Sequence, residues 1–301
     1  MTIVLGPNQY GKAENRVFRV FRDSARHEIR DLNVSTSLRG DFWDAHVTGD
    51  QGAILTTDAQ KNTAFAFAKE KQLGAIEDYA LTLATHLVAQ TPHASGARTT
   101  VEEYEWERIP VDGVGHDHSF VRSGQGTRST IVTVEGREPD STAHVISGID
   151  NLVLAKTTGS EFHGFLKEKY TTLQETDDRI LATSLVARWR YSHHDLDWDA
   201  TFNSIKANLL EKFATTHSYA LQQTLYEMGK SVLERHPAVA EIKFSAPNKH
   251  HFLVDLAPFG VENPGEVFIA ADRPYGLIEA SVVRDDAPPA GSAWSAVPAF
   301  C

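Results

Sequence analysis

Residues 182–191 read ATSLVARWRY, and every second side chain from residue 185 onward is apolar: Leu185, Ala187, Trp189 and Tyr191. A period of two is typical of a β-strand that buries one face, because successive side chains of a strand point to opposite sides of the sheet. The stretch therefore predicts a strand whose apolar face is covered by another layer of structure.

Elements on either side of this strand extend the pattern. A strand is predicted before it at residues 144–156, and two helices after it at residues 198–215 and 219–235. The second helix is expected to end at His236-Pro237, since proline cannot continue a helix. Strands are then predicted at residues 239–245, 251–256 and 277–284.

The first half of the chain repeats this order. Its strands are predicted at residues 16–21, 28–38, 98–109 and 119–134. We expect a bend or a bulge near Asp31 in the second of them, and turns at Asp112-Gly113 and Ser123-Gly124.

Two helices are predicted between these strands, at residues 59–69 and 76–89. Thr57 and Asp58 form an N-cap pair before the first helix. Strands in hairpins, with helices grouped between them, favour an α+β fold in which an antiparallel sheet is covered on one face. Two such domains in tandem fit 301 residues, and we expect them at residues 1–140 and 141–301.

The composition limits the classes of function. The formal net charge is −11, so the chain lacks the positive field that nonspecific nucleic-acid binding requires. An anionic small substrate would need local arginine or lysine to offset this charge. Cys301 is the only cysteine in the sequence, which excludes a disulfide within the chain and a cysteine-based zinc site.

Targeting and membrane signals are not visible in the sequence. Residues 1–10 contain no basic region followed by an apolar run, and no stretch of about 18 apolar residues occurs. The last three residues, Ala299-Phe300-Cys301, differ from the peroxisomal Ser-Lys-Leu signal. We therefore expect a cytoplasmic protein that binds neither nucleic acid nor membrane.

Histidine pairs are the first candidates for chemistry. His116 and His118 flank Asp117, which places two imidazoles on one face of an extended segment, a spacing that can bind a metal. Such triplets also occur in short loops that bind no metal. His193 and His194 end a predicted strand, and exposure to solvent explains them better.

Asn248 and His250 follow Pro247, where the hydrogen-bond ladder of the strand is expected to pause. Both side chains can then point into one pocket, where an amide and an imidazole hold a polar ligand and move a proton. The alternative is a turn asparagine and a surface histidine. Gln222 and Gln223 begin the last helix, where unpaired backbone N–H groups can meet an acceptor.

Arg179 has two interpretations. A capping box at residues 172–175 predicts the start of a short helix that contains Asp178 and Arg179. The arginine either pairs with Asp178 or Glu175, or it offers its planar fork to a flat anion. Position in the chain does not decide between them.

Seven sequence blocks, taken in order, resemble the urate oxidase family. They are NQYGK at 8–12, TD with QKNT at 57–63, EFHGF at 161–165, YTTLQET with DRIL at 170–181, LQQTLY at 221–226, PNKH at 247–250 and RPYGLIE at 273–279. The ordered set is far more specific than any single block. The weakest match is residues 91–126. Leu221 stands where the family often has valine, and His163 where it often has an aromatic residue.

The resemblance implies a tunnelling fold, in which two tandem domains, each an antiparallel sheet with two helices on one face, assemble into a barrel-like homotetramer. It also implies an enzyme that oxidises urate with O2 and water to 5-hydroxyisourate and hydrogen peroxide, without a metal or an organic cofactor. Active sites in this family are shared between subunits.

The resemblance also assigns roles to individual residues. Lys12, Thr57 and His250 are expected to form a catalytic proton relay. The residues expected to bind the substrate are Thr57, Asp58, Phe162, Arg179, Leu221, Gln222 and Asn248. Lys12, Thr57 and Asp58 would come from one subunit, and the other site residues from its neighbour.

Two other functions fit parts of this pattern. A relative in the same fold that acts on pterins, such as a cyclohydrolase or an aldolase, would also use Arg179 and Gln222 on a flat ring. A cyclohydrolase-type zinc site needs cysteine ligands, which counts against it because the only cysteine is terminal. A purine-binding protein without activity is the second alternative, and the presence of Lys12, Thr57 and His250 counts against it.

Overall fold

The computed structural model describes residues 2–71, 73–271 and 273–295, so Cys301 lies outside the described residues. The chain divides into two compact units. The first unit contains the described residues of Met1–Gly148, Arg190–Asp199 and Pro288–Cys301, and the second contains those of Ile149–Trp189 and Ala200–Ala287. Because each unit combines separate stretches of chain, the predicted boundary near residue 140 stays a prediction.

The first unit is built on an antiparallel sheet. Its strands are β1 Gln9–Phe21, β2 Glu28–Gly40, β3 Ala94–Glu103, β4 Trp106–Val111, β5 Val114–Arg122, β6 Thr127–Glu135 and the first part of β7 Thr142–Lys156. The order in the sheet is β1-β2-β3-β6-β7, while β4 and β5 form a hairpin of their own. The pairs β1–β2, β2–β3 and β3–β6 are antiparallel.

Helices cover this sheet. They are α1 Trp43–Val47, α2 Thr57–Glu70 and α3 Ile76–Gln90. The longest of them, α3, packs on β3 and β6, and α2 packs on β1 and α3. Leu83 and Leu87 of α3 are fully buried, as are Leu38 of β2 and Val101 of β3. This apolar layer forms the core of the first unit.

The second unit has the same plan. Its elements are the last part of β7, then β8 Leu181–Tyr191, α4 Trp198–Thr215, α5 Leu221–Arg235, β9 Val239–Lys249, β10 His251–Leu253, β11 Phe268–Ala270 and β12 Gly276–Val283. The last two residues of β8 and the first two of α4 belong to the first unit. The sheet order is β7-β8-β9-β12, and α5 packs on β9 and β12. Leu185, Ala187 and Trp189 of β8 are fully buried, which confirms the apolar alternation in that strand. The α+β prediction and the repeated order of elements are confirmed.

Two predicted strands are each interrupted. Residues 98–109 divide between β3 and β4, and residues 119–134 divide between β5 and β6. The predicted turn at Asp112-Gly113 is confirmed. Both of its residues have positive φ, 50° and 79°, which suits the twist of a two-stranded ribbon. The predicted turn at Ser123-Gly124 lies at the second interruption, between β5 and β6, and Gly124 has a positive φ of 107°. The first interruption, between Glu103 and Trp106, carries no glycine or proline to mark it in the sequence.

The ladder does not pause at Pro247, so that prediction is wrong. The pairing of β9 with β12 runs through Pro247 opposite Leu277 and Asn248 opposite Gly276, and β9 ends only at Lys249. A proline fits such a ladder because only alternate residues of an antiparallel strand donate to a given neighbour.

Candidate active site

Lys12 lies in β1 beside an irregularity of the sheet. It pairs with Thr36 of β2, and the register then shifts before Asn15, so that Ala13 and Glu14 together face a single residue. Glu14 has a positive φ of 57°. These features define a β-bulge in β1, which the sequence analysis did not predict. No bulge lies at Asp31 of β2, where the register is continuous.

The strand that carries Lys12 is attached to helix α2. The Thr36 hydroxyl donates to Oε1 of Gln60 at 2.9 Å, and both side chains are buried. Gly11 precedes Lys12 at a close approach, because a Cβ there would lie 1.8 Å from the Thr36 carbonyl oxygen. These contacts fix the backbone from which Lys12 projects.

Helix α2 begins at Thr57, two residues before the predicted start at residue 59. The N-cap is Thr56, whose hydroxyl accepts from the Ala59 N–H at 3.1 Å, and not the Thr57-Asp58 pair. A helix leaves its first four N–H groups without intrahelical acceptors, and the cap serves only that of Ala59. The N–H groups of Thr57 and Asp58 are therefore available to a ligand.

The Asp58 side chain folds back along its own helix. Its carboxylate accepts hydrogen bonds from Lys61 at 2.5 Å and from Asn62 at 2.9 Å. The Lys61 hydrogen bond and charge are the main causes that lower the pKa of Asp58, and the charge of Lys12 contributes as well. The first unit thus brings Lys12, Thr57 and Asp58 together at the start of α2.

In the second unit, Ser160 and Ser218 connect the segments that carry Phe162 and Arg179. Ser160 and Ser218 form a parallel bridge, and the Arg179 N–H donates to the Ser160 carbonyl at 2.7 Å. Phe162 and Thr176 exchange backbone hydrogen bonds of 2.8 and 3.1 Å as an antiparallel pair. The prediction of a short helix that starts at residues 172–175 is therefore wrong, because the segment is not helical.

The Arg179 guanidinium has no acidic partner among the residues that the structure describes. Asp178 accepts instead from the Thr158 hydroxyl at 2.7 Å, and Glu175 pairs with Lys167 at 3.2 Å. The hypothesis of a pair with Asp178 or Glu175 is therefore wrong. Arg179 is half-buried, its Nε has no hydrogen-bond partner in the described part of the chain, and burial lowers the pKa of its guanidinium.

Aromatic rings adjoin this cation. The guanidinium carbon of Arg179 lies 5.0 Å from the ring centre of Phe162. Phe165 stacks on Phe162 at 5.1 Å and 14°, a support that the sequence analysis did not identify. One face of Phe162 is therefore covered by protein, which leaves at most one face for a flat ligand.

The start of α5 meets the same region. Its N-cap, Ala220, offers no side-chain hydrogen bond, so the N–H groups of Leu221 and Gln222 have neither an intrahelical acceptor nor a capping side chain. The Thr224 hydroxyl donates to the Ser218 hydroxyl at 2.8 Å and so ties α5 to the bridge described above. Leu221 is buried and can act only through its backbone, whereas Gln222 is exposed.

Asn248 and His250 lie at the end of β9. Asn248 is still paired in the sheet, while His250 is outside it and stacks on Phe252 with ring centres 5.9 Å apart. Among the residues that the structure describes, no hydrogen bond or ring contact joins either of them to Arg179.

Glu161 pairs with two histidines, a role that the sequence analysis did not predict. Its carboxylate oxygens lie 2.5 Å from Nε2 of His163 and 2.8 Å from Nε2 of His217. Hydrogen bonds from His217 and then His163 lower the pKa of Glu161. The Glu-x-His spacing was a usable signal, because residues two apart in an extended segment point to the same side.

No helix of the described residues has the length and hydropathy that crossing a membrane requires.

Comparisons with known proteins show the family of the chain. A family model described as uricase matches residues 8–133 and 145–279. A uricase of Arthrobacter globiformis is 50% identical over 299 residues, which are 99% of this chain and 96% of the relative. A uricase of Dictyostelium discoideum is 35% identical over 92% of this chain and 96% of the relative. The crystal structure of the Arthrobacter globiformis uricase superposes with a TM-score of 0.93 at 50% identity, over 98% of this chain and 100% of that one. The chain belongs to the uricase family.

Proposed function

We propose that the protein is a urate oxidase, which converts urate, O2 and water into 5-hydroxyisourate and hydrogen peroxide without a metal or an organic cofactor. Family membership over nearly the whole chain supports this assignment. The observation that carries it is the unpaired guanidinium of Arg179, held beside the ring of Phe162. A half-buried cation without a carboxylate next to an aromatic ring suits a flat anion, and urate is one.

Each edge of urate has a partner in this proposal. Arg179 donates two parallel N–H groups to one edge, and the Gln222 amide meets an adjacent carbonyl and N–H with one donor and one acceptor. The N–H groups of Leu221 and Asp58 reach carbonyl oxygens from the starts of two helices, where the helix dipole also favours negative charge. Phe162 contacts the face of the urate ring and orients it.

The chemistry then requires proton removal and positioning. Lys12, Thr57 and His250 relay a proton from urate, which becomes electron-rich enough to reduce O2 by one electron. The radical pair recombines at C5 and forms a peroxide adduct. Hydrogen peroxide leaves, and water adds to give 5-hydroxyisourate. Asn248 holds O2 or water on the open face, and the protein contributes positioning and electrostatic stabilisation.

The active form is a homotetramer with sites shared between subunits. Lys12, Thr57 and Asp58 belong to one compact unit and the other site residues to the second, which fits contributions from two chains. The test refolds two inactive variants, Thr57→Ala and Arg179→Ala, together. If sites are shared, some hybrid interfaces combine an intact Thr57 with an intact Arg179, and activity returns. No recovery of activity, with oligomers confirmed by light scattering, would contradict the proposal.

The activity itself is tested in a sealed cell that contains protein, urate and a chelator. Urate loss, O2 uptake and peroxide release are followed together, and we expect a ratio of one to one to one. Activity that the chelator abolishes and a transition metal restores would contradict the cofactor-free reaction. The cytoplasmic location stays a prediction, which cell fractionation can test.

A further inference from the structure

A cluster of metal-binding side chains lies beside Phe162, and the proposed oxidation does not use it. Glu161, His163 and Asp177, here called the 161–177 cluster, each place one ligand atom within 4.8 Å of the other two. His163 and Asp177 are exposed, and Glu161 is half-buried.

Backbone pairing explains why the three side chains converge. Phe162 pairs with Thr176 in antiparallel register, so Glu161 lies opposite Asp177 on the neighbouring segment. Glu161 and His163 are two residues apart in an extended stretch and point to the same side. Phe162 points to the other side, toward Arg179, so the cluster and the proposed urate contact lie on opposite faces of the same paired segments.

The side chains next to the cluster indicate which residues would bind the ion. His217 lies 2.8 Å from the second carboxylate oxygen of Glu161, the kind of outer hydrogen bond that orients a ligating carboxylate. Glu175 does not compete, because its carboxylate already pairs with Lys167 and accepts from the Gly164 N–H.

We propose that Glu161, His163 and Asp177 bind one divalent transition-metal ion, for which Zn²⁺ is a suitable probe, with His217 orienting Glu161. Two carboxylates and one imidazole suit such an ion, with ligand distances of about 2.0–2.2 Å and water at the fourth position. In a tetrahedral site the ligand atoms lie about 3.3 Å from one another. The His163 and Glu161 atoms, now 2.5 Å apart, must therefore separate while any wider pair of the cluster closes, and rotation of the exposed His163 and Asp177 side chains allows both movements. Ca²⁺ prefers six to eight oxygen ligands and is poorly served here.

Metal bound in the cluster would join the two paired segments on the face away from Phe162. Because an ion that binds only the folded state stabilises it, Zn²⁺ should raise the melting temperature. This inference concerns binding and stability and does not rest on the proposed oxidation.

The test uses the untagged full-length protein, freed of metal with a chelator and then dialysed. Calorimetric titration with ZnCl₂ should give one strong site per chain. Glu161→Gln and His163→Gln should abolish that site, and His217→Gln should weaken it by about 10- to 100-fold. His118→Gln is the matched control, because His116 and His118 form another surface histidine pair, with ring centres 4.4 Å apart.

Circular dichroism tests whether each variant is folded. If Glu161→Gln does not fold, His163→Gln still tests the site, because His163 is exposed and its substitution should leave the fold intact. The proposal is overturned if His163→Gln binds Zn²⁺ as tightly as the parent, or if His118→Gln loses the site. Equal binding of Ca²⁺ would also overturn it, because the cluster would then be an ordinary acidic surface. Failure of the sealed-cell assay leaves this result unchanged, so the two proposals fail separately.

Discussion

Substitution of Arg179 by glutamine should weaken urate binding while the fold remains nearly as stable. The guanidinium has no acidic partner in the described residues, since Asp178 is held by Thr158 and Glu175 by Lys167. Its removal therefore breaks no ion pair. The main loss within the protein is the contact with Phe162, and cation–π contacts at exposed sites contribute about 0.5–1 kcal/mol.

Urate binding should lose much more than this. Hydrogen bonds to a charged group contribute about 1.5–3 kcal/mol. At about 1.4 kcal/mol for each factor of ten, the dissociation constant should rise about 10- to 150-fold. Because burial lowers the pKa of Arg179 only from a very high ordinary value, the group stays charged at neutral pH and the loss should appear there.

The assay is calorimetric titration with urate under anaerobic conditions, so that binding occurs without turnover, together with urea unfolding of each variant. Arg235→Gln is the matched control. It removes the same charge from the same unit, but at an exposed pair with Glu211. An unchanged dissociation constant in Arg179→Gln would refute the assignment. Equal weakening in both variants would attribute the effect to net charge, and a loss of more than about 2 kcal/mol of stability would make Arg179 structural.

Three further predictions concern catalysis, packing and pH. Lys12→Met should lower kcat by about 100- to 10,000-fold, because a positioned acid–base group contributes that much, while anaerobic urate binding changes little. Gly229→Ala should lower the free energy of unfolding by about 1–3 kcal/mol, although alanine favours helix, because a Cβ there would lie 2.6 Å from the Val282 side chain. The free energy of unfolding should fall as the pH drops below about 6.5, because burial lowers the pKa of His194 and His144, so the unfolded chain takes up protons that the folded state resists. His194→Gln should reduce that loss between pH 7 and 5.

Controls for these predictions come from the same chain. Gly276→Ala adds a methyl group in open space and should change stability by less than about 0.5 kcal/mol. An equal effect at Gly276 and Gly229 would contradict the packing argument. Urea unfolding at each pH measures the histidine effect, and a His194→Gln curve parallel to that of the parent would contradict it. Steady-state rates and anaerobic titration separate kcat from binding for Lys12→Met, and an unchanged kcat would remove Lys12 from the relay.

Periodicity identified the regular elements well and the irregular ones poorly. The helix predicted at residues 198–215 has those bounds, because a long apolar stripe carries a strong signal. The bulge beside Lys12 was not predicted, since a single inserted residue leaves no compositional mark when Glu14 and not glycine adopts the positive φ. The capping box at residues 172–175 was a false signal, because pairing of Thr176 with Phe162 overrides local preference.

The sequence also suggested some residues of the candidate site and missed others. Arg179 and Gln222 were predicted to be site residues from their sequence blocks. Only the structure shows that Arg179 has no carboxylate partner among the described residues, because nearby acids in the sequence were plausible partners. Glu161 was overlooked as a functional group, although it holds two histidines, and one of these, His217, is 56 residues away in the chain. A contact over that separation depends on tertiary structure, which spacing alone does not reveal.

Two features of the second unit are unfavourable for local stability, and the proposed binding of urate would account for both. Helix α5 begins without a capping side chain, and the lack of a good cap typically costs about 1 kcal/mol of stability. Helix α2, in contrast, is capped by the hydroxyl of Thr56. Arg179 is half-buried without an acid, which burial alone makes unfavourable. Sequences that otherwise agree with their fold tend to break local rules at functional sites. An anion with carbonyl acceptors, bound between Arg179 and the start of α5, would satisfy the unpaired cation and the unpaired N–H groups together. The two local defects therefore support the proposed binding of urate at this site.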